Sequence, residues 1–527
     1  MRMSVIAGAL AVAVLAAGIR WGAMVAGGAD SYGYVSQAGL WQQGRLVVQQ
    51  EIVGSSPWPD AAETWSPLGY RPSPHQRDGL VPIYAPGLPL LMAIFQTIAG
   101  YCAAFVVVPL CGALTIWLTF VFGRRVFGSL GIAFWGASLV ATSPVFLYQL
   151  MNAMSDVPVT AFWMLALVLA VMRRPLGSGL AMSVAIAIRP NLLPLAVVLG
   201  VWLAMTGGAR ATRDALPIRF AIGLMPGVIG IAWLNGVLYE SPLVSGYGTT
   251  GDLYSLRFFG TNLRQFATWM ADVETPIVAI AALYFVAPSF VPEPQIPRAR
   301  LLLAGSLAVV MLSYVFYRPF DAWWYLRFLL PMWPVLMLLT AVVLEALAGR
   351  WAGRFSSVAI GALVVLLAYH GVHAAVARSV FDLGRGERRY VDVGRFLASH
   401  TEPDAVMLSL QHSGSVRLYA GRLTLRYAAL DPLWLDRAVS YLQSIGRHPY
   451  FVLDGAEVDA FRRRFGAANR SGLLDWPPLA TLGGVVSIYD PIGRRMESPL
   501  AIAGTRGARG GWACDRPQSW PPVLLMK

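Results

Sequence analysis

Long apolar stretches recur along the chain, most of them about the length that crosses a bilayer. They fall at 4–26, 87–122, 130–149, 157–172, 178–206, 218–238, 274–291, 301–317, 328–348 and 355–377. The stretch at 87–122 is too long for one crossing, so its first part, from Pro86-Gly87-Leu88-Pro89 to Gly100, reads as an interfacial or re-entrant helix. Arg189-Pro190-Asn191 interrupts 178–206 and splits it into two short helices. The pattern predicts a mainly α, polytopic bundle of roughly eleven spans. The first stretch resembles a signal peptide, with Arg2 as its basic region, but it is too long and leads straight to an acid. It is read as a retained span.

Beyond 377 the pattern changes. Apolar runs shorten and alternate with amphipathic ones: a helix at 388–400, a strand at 405–410, a helix at 434–446, a strand at 450–453, a helix at 457–465 and a strand at 484–489. Strands alternating with helices predict a small α/β domain. From Gly493 the chain is rich in Gly, Pro and Arg and is expected to be loosely ordered. The division is therefore 1–377 for the membrane part, with a long loop at 27–86, and 378–527 for the α/β part. No internal repeat is visible.

Arginine placement orients the bundle. Arg124-Arg125, Arg173-Arg174, Arg210/Arg213/Arg219, Arg298/Arg300 and Arg350/Arg354 fall on alternate breaks, which the positive-inside rule makes cytoplasmic. The loops at 27–86, 150–157, near Arg189, 239–273 and 318–327 then face outward, and so does the domain after the last span. This predicts a multi-pass protein of the cytoplasmic membrane with an external tail.

Composition agrees. Hydrophobic residues make up 56% of the 527 and charged residues only 13%. A net charge of +13 would suit nucleic acid, but the arginines sit in clusters between apolar runs, so that class is set aside. Three cysteines show no metal spacing and no disulfide framework.

Two acids stand out. Asp30 follows the first apolar run, and Asp156 begins a later one in Met154-Ser155-Asp156-Val157-Pro158. Acids at a membrane rim are costly and usually kept for a task. The alternation above puts both on the outer side. Asp156 also fits a helix N-cap before a proline, a role compatible with a site.

The ordered set of motifs resembles GT-C glycosyltransferases, and within them bacterial relatives of protein O-mannosyltransferases and of the lipid A aminoarabinose transferase. The motifs are Asp30-x-x-x-Tyr34 after a span, a long external loop, Tyr84-Ala85-Pro86-Gly87-Leu88-Pro89, Gly-Arg-Arg-Val-Phe-Gly at 123–128, Ser-Pro-Val-Phe at 143–146, the Asp156 segment, Ile188-Arg189-Pro190-Asn191 and Trp323-Trp324-Tyr325-Leu326-Arg327-Phe328. The resemblance covers about 1–380. It implies transfer of a sugar from a polyprenyl-phosphate-linked donor at the outer membrane face, with Asp30 as base and Asp156 assisting. The acceptor, whether glycan, lipid or protein, does not carry over.

A departing phosphate needs cationic donors, ideally bidentate arginine. Arg189 and Arg327 sit at outer ends of apolar runs and are the candidates. Snorkelling or carbonyl capping is the plainer role for each. Tyr34, Tyr84 and Tyr325 are candidates for the acceptor and sugar cleft; packing and an interfacial aromatic belt are their plainer roles. No cofactor is fixed by the sequence. His75 with Asp78 is the loop pair a divalent metal would use, although a loop histidine is usually just solvated. The rival classes are a secondary transporter and a non-catalytic envelope-assembly scaffold. A transporter usually shows internal repeats and mid-membrane charges.

Overall fold

The computed structural model describes residues 2–207, 210–493, 500–502 and 514–517. The Gly-, Pro- and Arg-rich end expected from Gly493 onward lies mostly outside them. Among the described residues, five helices are long and apolar enough to cross a membrane, or up to seven if each of two bent pairs is one span. Shorter apolar helices, including Asp156–Val171, Pro175–Ile188 and Ala299–Val315, pack among them.

The helix Trp333–Trp351 is the core, with every side chain from Trp333 to Leu344 buried. The helix Ser356–Ala377 is peripheral and turns Val358, Val365, Leu366 and Tyr369 outward. An outward apolar face on a helix is what a lipid solvent selects.

Small residues set the closest approach. On Pro175–Ile188 and Arg210–Leu238, Gly179 and Ser183 face Gly223 and Gly227. A Cβ on Gly223 would come within 2.3 Å of the Leu176 carbonyl, and one on Gly179 within 2.1 Å of the Phe220 carbonyl. This is small-xxx-small packing, in which backbones touch because nothing stands between them. Gly223→Val should force the pair apart, at a cost of about 1–3 kcal/mol. A lowered midpoint in thermal unfolding of detergent-purified protein is expected; an unchanged one would mean the pair yields freely.

Helix breaks meet at one buried acid. The chain bends by 61° between Leu130–Thr142 and Pro144–Leu150, and by 118° between Leu256–Val273 and Pro276–Val286. Glu274, at the second bend, accepts from the Ser143 hydroxyl at the first, from the Val145 N–H (3.4 Å) and from Trp333 Nε1 (3.2 Å). Sequence reading passed over Glu274 because it merely opened an apolar run.

Helix ends sort into two groups. Gln295 N–H donates to the Val126 carbonyl (2.7 Å), Arg173 to Thr206 (3.1 Å), Trp202 to the Pro297 carbonyl (3.1 Å) and Ser129 to Glu345 (3.3 Å). These ends adjoin the arginine-rich breaks. The opposite ends gather around Asp30 and Asp156, described below.

The loop after the first helix carries a three-stranded sheet, β1 (Val48–Gln49), β2 (Tyr70–Pro72) and β3 (Gly79–Pro82), in the order β1-β3-β2. A second sheet has six strands: β4 (Val406–Ser409), β5 (Leu423–Arg426), β6 (Pro449–Asp454), β7 (Ala480–Leu482), β8 (Val486–Tyr489) and β9 (Leu500–Ile502). Their order is β5-β4-β6-β8-β7-β9, parallel from β5 to β6, with antiparallel pairing at β6–β8 and β8–β7. Helices Arg389–His400, Leu435–Ser444 and Glu457–Phe465 stand where the pattern placed them; Ser413–Tyr419 and β5, β7 and β9 were not anticipated. Alternation along β4 sends Val406 and Leu408 to one core and Met407 to the other.

The first core also contains Trp58 and Trp65 from the 27–86 loop. Arg417, buried and facing no carboxylate, ties the same two parts: it donates to Gln50 (2.6 Å), to the Trp65 carbonyl (2.6 Å) and to Thr424. Burial pulls its pKa down to about 10. Loop and sheet therefore form one packed unit, although the sequence division put them in separate domains. Cys102 and Cys514 are joined by a disulfide, which corrects the expectation of none. Their spacing of 412 residues carries no local signal.

Candidate active site

The first helix ends at Trp21, sooner than its apolar run suggests. An irregular link through Gly27-Gly28 follows, and Asp30 opens the next helix, Asp30–Gln42. An acid in a first turn is favoured by the helix dipole. Asp30 Oδ1 accepts from the Tyr84 hydroxyl (2.7 Å) and Oδ2 from Arg327 Nη1 (3.0 Å). Gly33 makes this reach available: a Cβ there would lie 2.0 Å from the Tyr84 ring. Tyr34 packs on Tyr84 (4.5 Å between ring centres) and donates to Ser155 Oγ (3.1 Å).

Asp156 is the first residue of Asp156–Val171, and Ser155 before it holds the N-cap position. The Ser155 side chain does not cap; it meets Tyr34 and Arg189. Asp156 is 1% exposed, with Oδ1 2.5 Å from Arg189 Nη2. Its Oδ2 has no partner and the residue lines the cavity described below.

Arg189 owes its place to Pro190, which disfavours helix in the residue before it. Arg189 is extended (φ −140°, ψ 90°) at the end of Pro175–Ile188. Its guanidinium bonds Ser155 (3.2 Å), Asp156 and the Tyr314 hydroxyl (3.3 Å). Arg327 lies in the tight helical run Trp323–Met332. It sits over the rings of Phe328 (5.2 Å) and Tyr325 (5.3 Å), and its Nη1 also meets Met154 Sδ (3.2 Å). Its Nε has no partner. A guanidinium has five N–H groups, so Arg327 keeps donors in reserve.

The two ion pairs stand on the wall of one cavity of about 510 Å³. Tyr34 and Tyr84, the sequence-derived candidates for the acceptor and sugar cleft, line it. Tyr325, the third such candidate, is not on this wall: it backs Arg327 (5.3 Å) and stacks on Phe320 (4.0 Å). Sequence reading missed Tyr247, Tyr254, Tyr314 and Tyr317, which face the same space. The one available signal was Tyr314-Val-Phe-Tyr317 at the outer end of an apolar run. Another wall is apolar, with Ile186, Leu193, Val228, Ile231 and Leu234 from three helices. The cavity thus couples a polar, charge-compensated head to an aliphatic flank, a shape suited to an amphiphile. His75 turns its ring to the Tyr239 carbonyl (2.5 Å). Among the described residues no three His, Cys, Asp or Glu side chains gather where a metal would sit.

No protein-family model and no curated protein matches the chain. Solved structures do. ArnT from Cupriavidus metallidurans bound to undecaprenyl phosphate superposes with a TM-score of 0.56, at 12% identity over 93% of this chain and 98% of that one. Its apo state gives 0.55, at 14% identity over 93% and 97%. The archaeal oligosaccharyltransferase AglB from Archaeoglobus fulgidus, in complex with an inhibitory peptide and a dolichol-phosphate, gives 0.52, at 12% identity over 93% and 74%. These are GT-C glycosyltransferases, and the chain has their fold.

Proposed function

We propose that this GT-C-fold chain is a membrane glycosyltransferase that moves a sugar from a polyprenyl phosphate to an acceptor at the outer face of the cytoplasmic membrane. The observation that carries the reading is the pair of acid–arginine bridges, Asp30–Arg327 and Asp156–Arg189, on one cavity wall beside an aliphatic flank. The lipid chain lies along that flank, and its phosphate draws on the arginines' N–H groups. The acceptor O–H attacks the anomeric carbon from the opposite side. The carbon–oxygen bond to the phosphate breaks, its electron pair leaves with the polyprenyl phosphate, and the proton passes to Asp30. The configuration inverts. Asp156, with one oxygen unpartnered, orients a hydroxyl of the sugar or acceptor.

The undecaprenyl phosphate and dolichol-phosphate in the two fold relatives support a lipid phosphate donor. Counted by apolar segment, the chain makes about eleven crossings, and Cys102–Cys514 suits an oxidising exterior. Native mass spectrometry of the purified protein in nanodiscs should show undecaprenyl phosphate retained well above an equal amount of phosphatidylglycerol. Equal retention of the two would sink the donor assignment.

Topology is tested separately. Ser413 is fully buried, whereas Ser444 is exposed at a helix end. In Ser444→Cys, a membrane-impermeant maleimide should label intact spheroplasts. Labelling that needs permeabilisation would place both acids on the cytoplasmic side.

A further inference from the structure

A second cavity, of about 280 Å³, lies between Trp323-Trp324, Tyr148 at the end of Pro144–Leu150, and the connection from Arg378 to Arg389. One side is aromatic. Trp324 and Tyr148 lie nearly parallel (6.0 Å, 12°), and Trp323 stands across Trp324 at 79°. Trp324 is 39% exposed, a large apolar face left open. The rest of the lining is polar, with Asp382, Glu387, Arg389 and Arg378, whose guanidinium lies over the Trp323 ring (5.7 Å) and leaves Trp324 as the open aromatic face.

The charges here are matched. Arg378 bonds Asp272 (2.7 Å), Arg389 bonds Asp454 (3.0 Å), and Glu387 stands 3.5 Å from Arg389. Compensated arginines make a poor seat for a phosphate. A wall of four charged side chains makes a poor seat for an acyl chain. An open aromatic face beside carboxylates and guanidinium N–H groups suits a ring with C–H faces and a rim of hydroxyls.

Position adds to composition. Glu387 packs against Gly27, where a Cβ would come within 2.8 Å of its carboxylate, three residues before Asp30. Trp324 also adjoins Tyr325 (6.4 Å between ring centres), and Arg327 sits over that ring (5.3 Å). The cavity therefore adjoins the Asp30–Arg327 pair through Gly27 and Tyr325.

We propose that this second cavity holds a sugar ring of the acceptor, so that the acceptor is itself a glycan. The proposal rests on the transferase reading and adds the acceptor's class. The test uses the full-length protein in its producing cells, with photoreactive benzoylphenylalanine in place of Trp324, of Tyr148 or, in the donor cavity, of Tyr247. After irradiation the adducts are identified by mass spectrometry and by periodate, which cleaves sugar diols. The expected result is a periodate-sensitive glycan adduct at the Trp324 or Tyr148 position, reduced about tenfold by Glu387→Gln. Only phospholipid, only protein or no adduct at both positions would overturn it, as would an unchanged glycan yield in Glu387→Gln. A polyprenyl phosphate adduct at the Tyr247 position would show the transferase reading standing while the subsite falls. Absence of that adduct would remove the transferase reading and this proposal with it.

Discussion

Asp30→Asn should lower sugar transfer by about 10²-fold or more, because a positioned base contributes roughly 10²–10⁴-fold. Asparagine keeps the size of the side chain and an oxygen for the Tyr84 hydroxyl, now 2.7 Å away. It cannot take the proton from the acceptor. It also withdraws the negative charge opposite Arg327, so the guanidinium is left to the donor phosphate alone. Binding of undecaprenyl phosphate should therefore hold or tighten while turnover falls. That split separates a lost base from a misfolded protein. Asp156→Asn should cost less, since its part is to orient. Transfer near the wild-type rate by the Asp30 variant, with native donor and acceptor, would reject the base assignment and leave Asp156 as the next candidate.

Arg327→Ala should weaken undecaprenyl phosphate binding by about tenfold or more, the worth of a hydrogen bond to a charged group. An arginine near the apolar zone is costly, about 2.5–3.5 kcal/mol on insertion scales at a span centre and less at the rim. Asp30 offsets part of that cost in the free protein, and a bound phosphate would offset more. Arg327→Lys keeps the charge but loses the planar fork and the stacking over Tyr325 and Phe328. It should fold, bind less tightly than the wild type, and bind better than the alanine variant. Arg189→Ala should weaken donor binding too and also free Asp156, so it should cost stability as well. Unchanged donor binding in both alanine variants would take the arginines out of the site.

The site was readable where charge interrupts an apolar run. Asp30, Asp156, Arg189 and Arg327 are each such an interruption, and the structure brings all four to one cavity. Pro190 made the break before Arg189 legible as well. What the sequence concealed is contact between distant segments. Glu274 looked like no more than the start of an apolar run without its partners Ser143 and Trp333. Gly223 and Gly227 carry a helix-packing spacing, yet only the facing Gly179 and Ser183 give it meaning. The tyrosines at 247, 254, 314 and 317 come from a loop and a helix end whose approach no periodicity records. Three strands of the tail were legible as short apolar runs between amphipathic helices, whereas the short β7 and β9 were below what that pattern can mark.

Trp58 and Trp65 complete a core whose strands are made long after them; the Arg417 contact to Trp65 closes over 352 residues. On the proposed topology the first loop is exported with two indoles whose seat is not yet translated. Every later span must be inserted before their seat is translated. The sheet made last is thus what completes the burial of the loop made first.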